Sequence, residues 1–452
     1  MLRVAVIGSG PSGIYAAQSL IKSAPEVGGV EVDVIDRLPC PYGLVRYGVA
    51  PDHGKIKSIT LALRKVLETD GIRFLGNVDV GVDLSIAELH QHYDAIVFAY
   101  GAAIDRRLGI AGEELAGSFS ATDFVAWYSG HPDTQIDSFT LHARDVVVVG
   151  VGNVAVDVAR ILAKTADDLR PTDLPDHVLD VLNASHVTDI HVLGRRGPAQ
   201  AKFTTKELRE LGELVNAEVV VREDELVLDE ASEHTIATDA GQRRNLDILR
   251  SWAAEQAAGT SEKKPRRIHL RFLVRPVALE GADQVEGVRI ERTQLDGSGG
   301  VRGTEEFETL PAQMVLRSVG YRGEGLAGLP FDERTGTIPN EAGRVMDEGT
   351  PLSGVYVAGW IKRGPTGVIG TNKSDASETI SSLVADAPAL PKATERDPQA
   401  LLKLLADRGV DVVDWEGWVG IDEAEIALGQ AQGRERIKIA QREILLGHGV
   451  RK

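Results

Sequence analysis

Cysteine is nearly absent from this sequence, with Cys40 the single one among 452 residues. That excludes an intramolecular disulfide, a Cys-x-x-Cys redox pair, a four-cysteine zinc site and a cysteine-held iron-sulfur cluster within the chain. Any redox chemistry must come from a bound organic cofactor. Long apolar runs are missing too, none approaching the roughly 20 residues that span a bilayer. The first strand pattern begins at Leu2, so no leader peptide is expected. The expectation is a cytoplasmic protein with no membrane partner. Basic residues are outnumbered, 50 Lys and Arg against 67 Asp and Glu, for a net charge of −17. Nonspecific nucleic-acid or anionic-membrane binding is thereby disfavoured, although local basic patches remain open.

What is present is typical of a soluble globular chain, with 43% hydrophobic residues and 48 glycines. The length exceeds the roughly 250–300 residues at which one hydrophobic core divides, so two or three domains are expected. Leu2–Ile7 are mostly apolar and β-branched, Gly8-Ser9-Gly10-Pro11-Ser12-Gly13 follows, and a helical pattern runs from Ile14 to about Lys22. A second apolar strand, Val30–Ile35, ends at Asp36. This is the dinucleotide fingerprint: Gly8 permits the turn, Gly10 lets backbone approach a pyrophosphate, Gly13 allows close helix packing, and Asp36 can bind a ribose. The helix N-terminal amides then hold phosphate.

The device occurs again. The β-branched run Asp145–Val149 leads into Gly150-Val151-Gly152-Asn153-Val154-Ala155 and a helix over about 154–163, with Ala155 where the third Gly would stand. After a polar insertion, 165–183, the next strand at 189–193 ends not in an acid but in Gly194-Arg195-Arg196-Gly197. Two guanidiniums there suit a 2′-phosphate, and the alternative is surface salt bridges. An acid at the first site and an Arg pair at the second read as FAD followed by NADP, with hydride transfer the natural reaction class.

The fold class expected is α/β, two Rossmann-like dinucleotide-binding domains with the NADP domain inserted into a discontinuous FAD domain. A strand at 95–99 ends in Tyr100-Gly101-Ala102, and much later a short strand at 354–358 ends in Gly359-Trp360. Gly364-Pro365-Thr366-Gly367-Val368-Ile369-Gly370 then feeds a helix through about Val384, its amides plausible partners for the flavin's pyrimidine edge. The boundaries drawn are 1–103 and 321–452 for the FAD domain and 104–320 for the NADP domain. Residues 385–392 read as a Pro/Ala connector, and 397–452 as a charged helical tail with no chemical motif.

These residues together resemble the adrenodoxin reductase family of NADPH-ferredoxin reductases, actinobacterial members included. The resemblance runs through Gly8 to Gly13, Pro41-Tyr42-Gly43-Leu44-Val45-Arg46-Tyr47-Gly48-Val49-Ala50-Pro51-Asp52-His53, Gly152-Asn153-Val154-Ala155-Val156-Asp157-Val158-Ala159-Arg160, Gly194 to Pro198, Phe203-Thr204-Thr205-Lys206-Glu207-Leu208-Arg209-Glu210, and Gly359-Trp360 with Gly364 to Gly370. Arg408-Gly409-Val410 and Asp414-Trp415 extend it into the tail. The resemblance implies that Ser12, Asp36, Leu44 and Val80 line the FAD site, with Trp360, Gly367, Val368 and Ile369 at the flavin. It implies NADP contacts from Val151, Gly152, Asn153, Val154, Arg195, Arg196 and Glu207, with Gly367 touching both cofactors. Asp36 departs from the Glu frequent in the family, so it must approach the ribose closely or use a water. No ferredoxin segment is attached, so the electron acceptor is expected to be another molecule.

His53 and Glu210 are the candidates for proton handling, and a structural role for each is an equal alternative. Cys40, between two prolines, reads as a packing residue. The leading expectation is an FAD enzyme that takes hydride from NADPH and delivers single electrons to a ferredoxin-type iron-sulfur protein. Alternatives are a reductase subunit like that of glutamate synthase, a flavin monooxygenase and a nucleotide-sensing scaffold; one cysteine excludes a disulfide reductase. Because ferredoxins are generally acidic, docking needs a local basic surface. Arg243-Arg244 with Arg250, and Lys263-Lys264-Pro265-Arg266-Arg267, are the two candidates.

Overall fold

The computed structural model of the chain describes residues 1–297, 299–367 and 369–450. It divides into two units, one of Met1–Ile104, Ser129–Thr134 and Gly320–Lys452, the other of Asp105–Tyr128 and Gln135–Val319. Both are α/β and each is built on its own parallel sheet.

In the first unit five parallel strands lie in the order Thr350–Val357, Ala95–Phe98, Leu2–Ile7, Val30–Ile35, Ile72–Leu75. Arg344–Asp347 and Asn340–Glu341 extend one edge antiparallel. Leu2–Ile7 is buried throughout, as a central strand covered on both faces must be. Its alternation is still legible: Val4 and Val6 join the cluster with Ile14, Ala17 and Ile380, while Ala5 and Ile7 join Leu89, Ile96 and Leu401 on the opposite face. The helices Pro11–Lys22 and Thr371–Asp386 pack together on the first of these faces. Leu2–Ile7 hands the chain to Val30–Ile35 on one side and has Ala95–Phe98 on the other, so the topological switch point lies beyond its carboxyl end, at Gly8.

The second unit repeats the plan with six parallel strands in the order Ser118–Ser120, Met314–Arg317, Asp145–Val149, Asp189–Gly194, Arg266–Phe272, Ala217–Val221. A separate antiparallel sheet joins Val274–Glu280, Gly287–Leu295 and Val301–Pro311.

Three local readings differ from the expectation. The stretch read as a polar insertion contains the helices Ala166–Leu169 and Asp176–Asn183, which bury Leu169, Val178, Leu179 and Leu182 in the unit's core. In the second helix Leu182 stands four residues beyond Val178 and three beyond Leu179, so these apolar side chains share one face despite the polar composition. Arg266–Phe272 and Val274–Glu280 are separate strands, because Leu273 takes φ 55° and turns the chain from the parallel sheet into the antiparallel one. The helix expected to end near Val384 continues to Asp386, whose carboxylate accepts from Arg344 Nε at 2.7 Å and Tyr356 Oη at 2.9 Å. A short 3₁₀ turn, Ala387–Ala389, then occupies part of the supposed connector. The tail is helical as expected, in Pro398–Asp407, Trp415–Ala431 and Arg442–Gly449, and Leu401, Trp418, Ile421 and Leu445 are core residues.

Candidate functional site

The first glycine turn is built as its spacing requires. Gly8 sits at φ 110°, where a side chain would also crowd the Ala99 carbonyl oxygen at 2.6 Å. A Cβ on Gly13 would overlap the Gly8 carbonyl oxygen, so helix and turn meet only because both residues are glycine. Gly10 is different. It has ordinary extended dihedrals (φ −71°, ψ 176°), and an added Cβ would meet nothing within 4 Å. Gly10 therefore serves not the chain's own geometry but the space in front of it. The helix it begins, Pro11–Lys22, has no acidic residue in its first turn, as an anion site demands.

Three remote segments close around this turn within the first unit. Tyr42 N donates to the Ser9 carbonyl at 3.0 Å, and a Cβ on Gly43 would lie 3.1 Å from Gly10 Cα. Gly359, at φ 79°, abuts the buried Ser12, whose hydroxyl oxygen a side chain there would strike. Gly359 N donates to Asp375 Oδ2 at 2.5 Å, and Lys362 and Arg363 hold the same carboxylate at 3.2 and 3.1 Å. Leu44 opens the helix Leu44–Tyr47 and stays 39% exposed, an apolar side chain left facing outward beside a glycine cradle. Trp360 is half-buried with its ring tilted against Tyr321 at 5.4 Å, Gly367 has φ 85°, and Ile369 is half-buried; Val368 lies outside the described residues.

Asp36 is occupied by the turn itself. Its Oδ2 accepts from Ser9 N at 2.7 Å and Ser9 Oγ at 2.6 Å, and its Oδ1 from Leu38 N at 2.9 Å. Val80 is buried in the cluster that contains Ile7 and Ile35. His53 is buried and precedes the short helix Gly54–Lys57. Burial pushes the Cys40 thiol up to about 11, so it is no nucleophile near neutrality.

The second turn belongs to the second unit. Gly150 has φ 134°, and a Cβ there would overlap the Ser318 carbonyl oxygen. Gly152, like Gly10, is extended (φ −103°, ψ 177°) with open space in front of it, and the helix it begins, Asn153–Ala163, also lacks an acid in its first turn. Ala155 is fully buried, and Val154 is half-buried. The Val151 carbonyl accepts from Lys202 N at 2.9 Å and Asn153 Oδ1 from Thr204 N at 2.9 Å, which fasten the start of this helix to the start of Thr205–Gly212. Glu207, in the first turn of that second helix, is buried with its Oε2 unpartnered among the described residues. Arg195 is exposed and Arg196 half-buried, and neither guanidinium has a carboxylate partner among the described residues. Their backbone carbonyls are used instead, accepting from Thr293 Oγ1 at 2.7 Å and Leu273 N at 3.1 Å. Glu210 lies in the same unit with Lys206 Nζ at 3.2 Å and Arg160 Nε at 3.8 Å.

Both cradles therefore fit dinucleotides: open space at one glycine of each turn, an acid-free helix start, an outward-facing Leu44 at the first and two unpaired guanidiniums at the second. Comparison with known proteins agrees. The sequence profile of the pyridine nucleotide-disulphide oxidoreductase family matches residues 2–369. The chain is 44% identical to the NADPH-ferredoxin reductase FprA of Mycobacterium tuberculosis, over 99% of each chain. It belongs to the NADPH-ferredoxin reductases of that family. This reductase chain is also 40% identical to the mitochondrial NADPH:adrenodoxin oxidoreductase of Arabidopsis thaliana, over 98% of this chain and 95% of the other. A solved structure of M. tuberculosis FprA in complex with NADPH superposes with a TM-score of 0.91 at 43% identity over 99% of both chains. The family's name mentions disulphides, but a reductase with one buried cysteine has no dithiol pair.

Sequence reasoning did not single out Gly43, Gly359 or Asp375. A signal was present for the first two, since each is a glycine inside a stretch quoted for the family resemblance. None was present for Asp375, whose role appears only through the amide it accepts from.

Proposed function

We propose that the first unit binds FAD and the second NADP, and that the protein takes hydride from NADPH and passes electrons singly to a ferredoxin-type iron-sulfur protein. The observation that carries this reading is the unpaired Arg195–Arg196 couple beside the second glycine turn, against the Asp36 acid beside the first. When bound, the flavin accepts two electrons as hydride and releases them one at a time. The chain's part is to hold and orient. The amides after Gly10 and Gly152 face phosphate, Arg195 and Arg196 grip the 2′-phosphate, and the buried Glu207 offers its free oxygen to a donor on NADP. Ser12, Leu44, Val80, Trp360, Gly367 and Ile369 border the flavin nucleotide. Asp36, already bonded to Ser9, orients the turn and turns its remaining lone pairs to the ribose. Glu210, between Lys206 and Arg160, is best suited to anchoring.

A cytoplasmic setting accords with the bacterial relatives, and no helix among the described residues is long and apolar enough to cross a membrane. For the partner we favour Arg243, Arg244 and Arg250. All three are exposed on the helix Ala240–Ala257, with the exposed Asp247 among them. Arg243 also caps the preceding helix, donating to the Ile236 and Ala237 carbonyls at 3.0 and 2.7 Å. The other run is mostly consumed within the fold. Lys264 donates to the Leu214 carbonyl at 2.6 Å, Arg266 to that of Lys164 at 2.6 Å, and Arg267 pairs with Asp189 at 2.8 Å.

Anaerobic addition of NADPH should bleach a bound flavin, and a reduced acidic ferredoxin should then appear at a rate that oxygen alone does not match. A flavin that NADPH leaves oxidised defeats the proposal. Arg244→Glu/Arg250→Glu should raise the KM for ferredoxin and flatten its dependence on ionic strength, with flavin reduction unaltered.

A further inference from the structure

We propose that the C-terminal tail is a positioning element of the flavin site, setting through Trp418, Glu425 and Lys438 the loop that faces Gly10. The inference rests on the reading that the first unit binds FAD. It begins from backbone strain. Tyr42 and Gly43 are consecutive left-handed residues, at φ 84° and 49°. For an aromatic residue that conformation is unfavourable and survives only where its surroundings impose it. The strained pair lies against the glycine turn, through the Tyr42 amide bonded to Ser9 and the close approach of Gly43 to Gly10. Its placement decides how much room remains in front of Gly10 and where Leu44, the next residue, points.

The restraint comes from the tail. Trp418 meets the Tyr42 ring edge-on, with centroids 5.8 Å apart and planes at 84°. Two turns further along the same helix, Trp415–Ala431, the fully buried Glu425 takes the buried Arg46 guanidinium in a two-pronged pair, Nη1 to Oε2 at 3.0 Å and Nη2 to Oε1 at 2.5 Å. Arg46 also lies over the Trp418 ring at 5.2 Å. Glu425 is itself held, since Ile439 N donates to its Oε1 at 2.9 Å. Lys438 Nζ donates to the Arg46 carbonyl at 2.6 Å and the Ser129 carbonyl at 3.1 Å, fixing the last turn of Leu44–Tyr47. A buried ion pair is a poor general stabiliser compared with apolar packing of equal volume, whereas its directional geometry fixes one position of the loop. Glu425, Trp418 and Lys438 are thus positioning residues, and none is catalytic.

The test is titration of FAD into apoprotein, with the apoprotein's unfolding midpoint and the visible spectrum of the bound flavin recorded alongside. Lys438→Met keeps the aliphatic stem and removes the donor. It should weaken FAD at least tenfold and shift the flavin spectrum, and Lys438→Arg should restore both. Glu425→Gln should do the same; if it fails to fold, Trp418→Phe and Lys438→Met carry the test. A lowered unfolding midpoint with parental FAD affinity and spectrum overturns the inference, leaving the tail a structural brace. Gly10→Val separates the two readings. Flavin retained in that variant removes the FAD site itself, while flavin lost there but bound normally by Lys438→Met removes only the positioning role.

Discussion

The two glycine turns of this protein are nearly the same object with different surroundings. Both begin on a left-handed glycine pressed against a carbonyl, at Gly8 and Gly150, and both leave open space before an extended glycine, at Gly10 and Gly152. They part at the third position, where Gly13 has no room for a methyl group and Ala155 carries one without strain. They part again at the end of the following strand, where Asp36 is bonded back to Ser9 while Arg195 and Arg196 have no carboxylate partner among the described residues. The turn is therefore a generic phosphate cradle. On the proposed reading, the residue that ends the next strand selects the nucleotide.

The sharpest way to break the comparison is to fill both open spaces. Gly10→Val and Gly152→Val should each fold, because neither position needs left-handed dihedrals nor meets protein atoms. The first should lose flavin entirely; the second should be yellow but should not bleach with NADPH. Absorbance at the flavin band before and after NADPH reads both, and a flavin-replete Gly10→Val protein would falsify the assignment.

Next in size is the arginine couple. Each charge-assisted contact to phosphate contributes about 1.5–3 kcal/mol, so Arg195→Ala/Arg196→Ala should weaken NADPH by at least tenfold and leave NADH nearly untouched. Steady-state kinetics with both coenzymes decides, an unchanged preference assigning the arginines elsewhere.

Exchanging the third positions sharpens the contrast further. Gly13→Ala places a methyl group on a backbone oxygen and should cost about 3 kcal/mol, whereas Ala155→Gly should cost about 1 kcal/mol as a helix substitution with a small void. Urea midpoints of the two variants should differ in that order, and equal losses would mean that the first turn can relax.

A last effect, confined to acid pH, is shared by both units. Burial holds the imidazole of His131 in the first unit and of His191 in the second down at about 4, below the ordinary 6.5. His131 lies beside the Tyr47 ring at 4.9 Å and His191 stacks on His269 at 4.4 Å. The unfolded chain takes up protons from about pH 6.5 downward and the folded chain only near 4, so stability is full above that window and falls through it. At pH 5.5 each histidine should account for about 1.4 kcal/mol of loss. Thermal melts between pH 7.5 and 5 should show a shallower loss in His131→Phe than in the parent, and an unchanged slope would show that the burial does not persist in solution.

Much of this was legible in the amino-acid order. Leu2–Ile7, Val30–Ile35 and Asp145–Val149 were readable residue for residue, because a buried parallel strand is a continuous β-branched run that stops at its turn. The helices at Ala166–Leu169 and Asp176–Asn183 were not, since their few apolar residues are diluted by charge and only the receiving core reveals the shared face. The break at Leu273 was hidden because a left-handed leucine has no sequence signature. The basic run at 263–267 looked like free charge, and most of it is spent on carbonyls and on Asp189 that lie far away in the chain.

By itself the sequence determined the chemistry that short spacings encode: two strand-turn-helix cradles, a methyl group tolerated in one and not the other, an acid after the first and an arginine pair after the second. These depend on residues near one another in the chain, whose conformations are coupled by steric exclusion. Only the tertiary structure decided what surrounds each cradle and which charges are spent. Gly43 and Gly359 reach the first turn, and the helix that bears Glu425 reaches the loop beside it at Arg46, from widely separated parts of the chain. Contacts of that kind arise from the packing of whole elements, and a side chain's hydrogen-bonding capacity can be assigned only when the carbonyls and carboxylates beside it are in place.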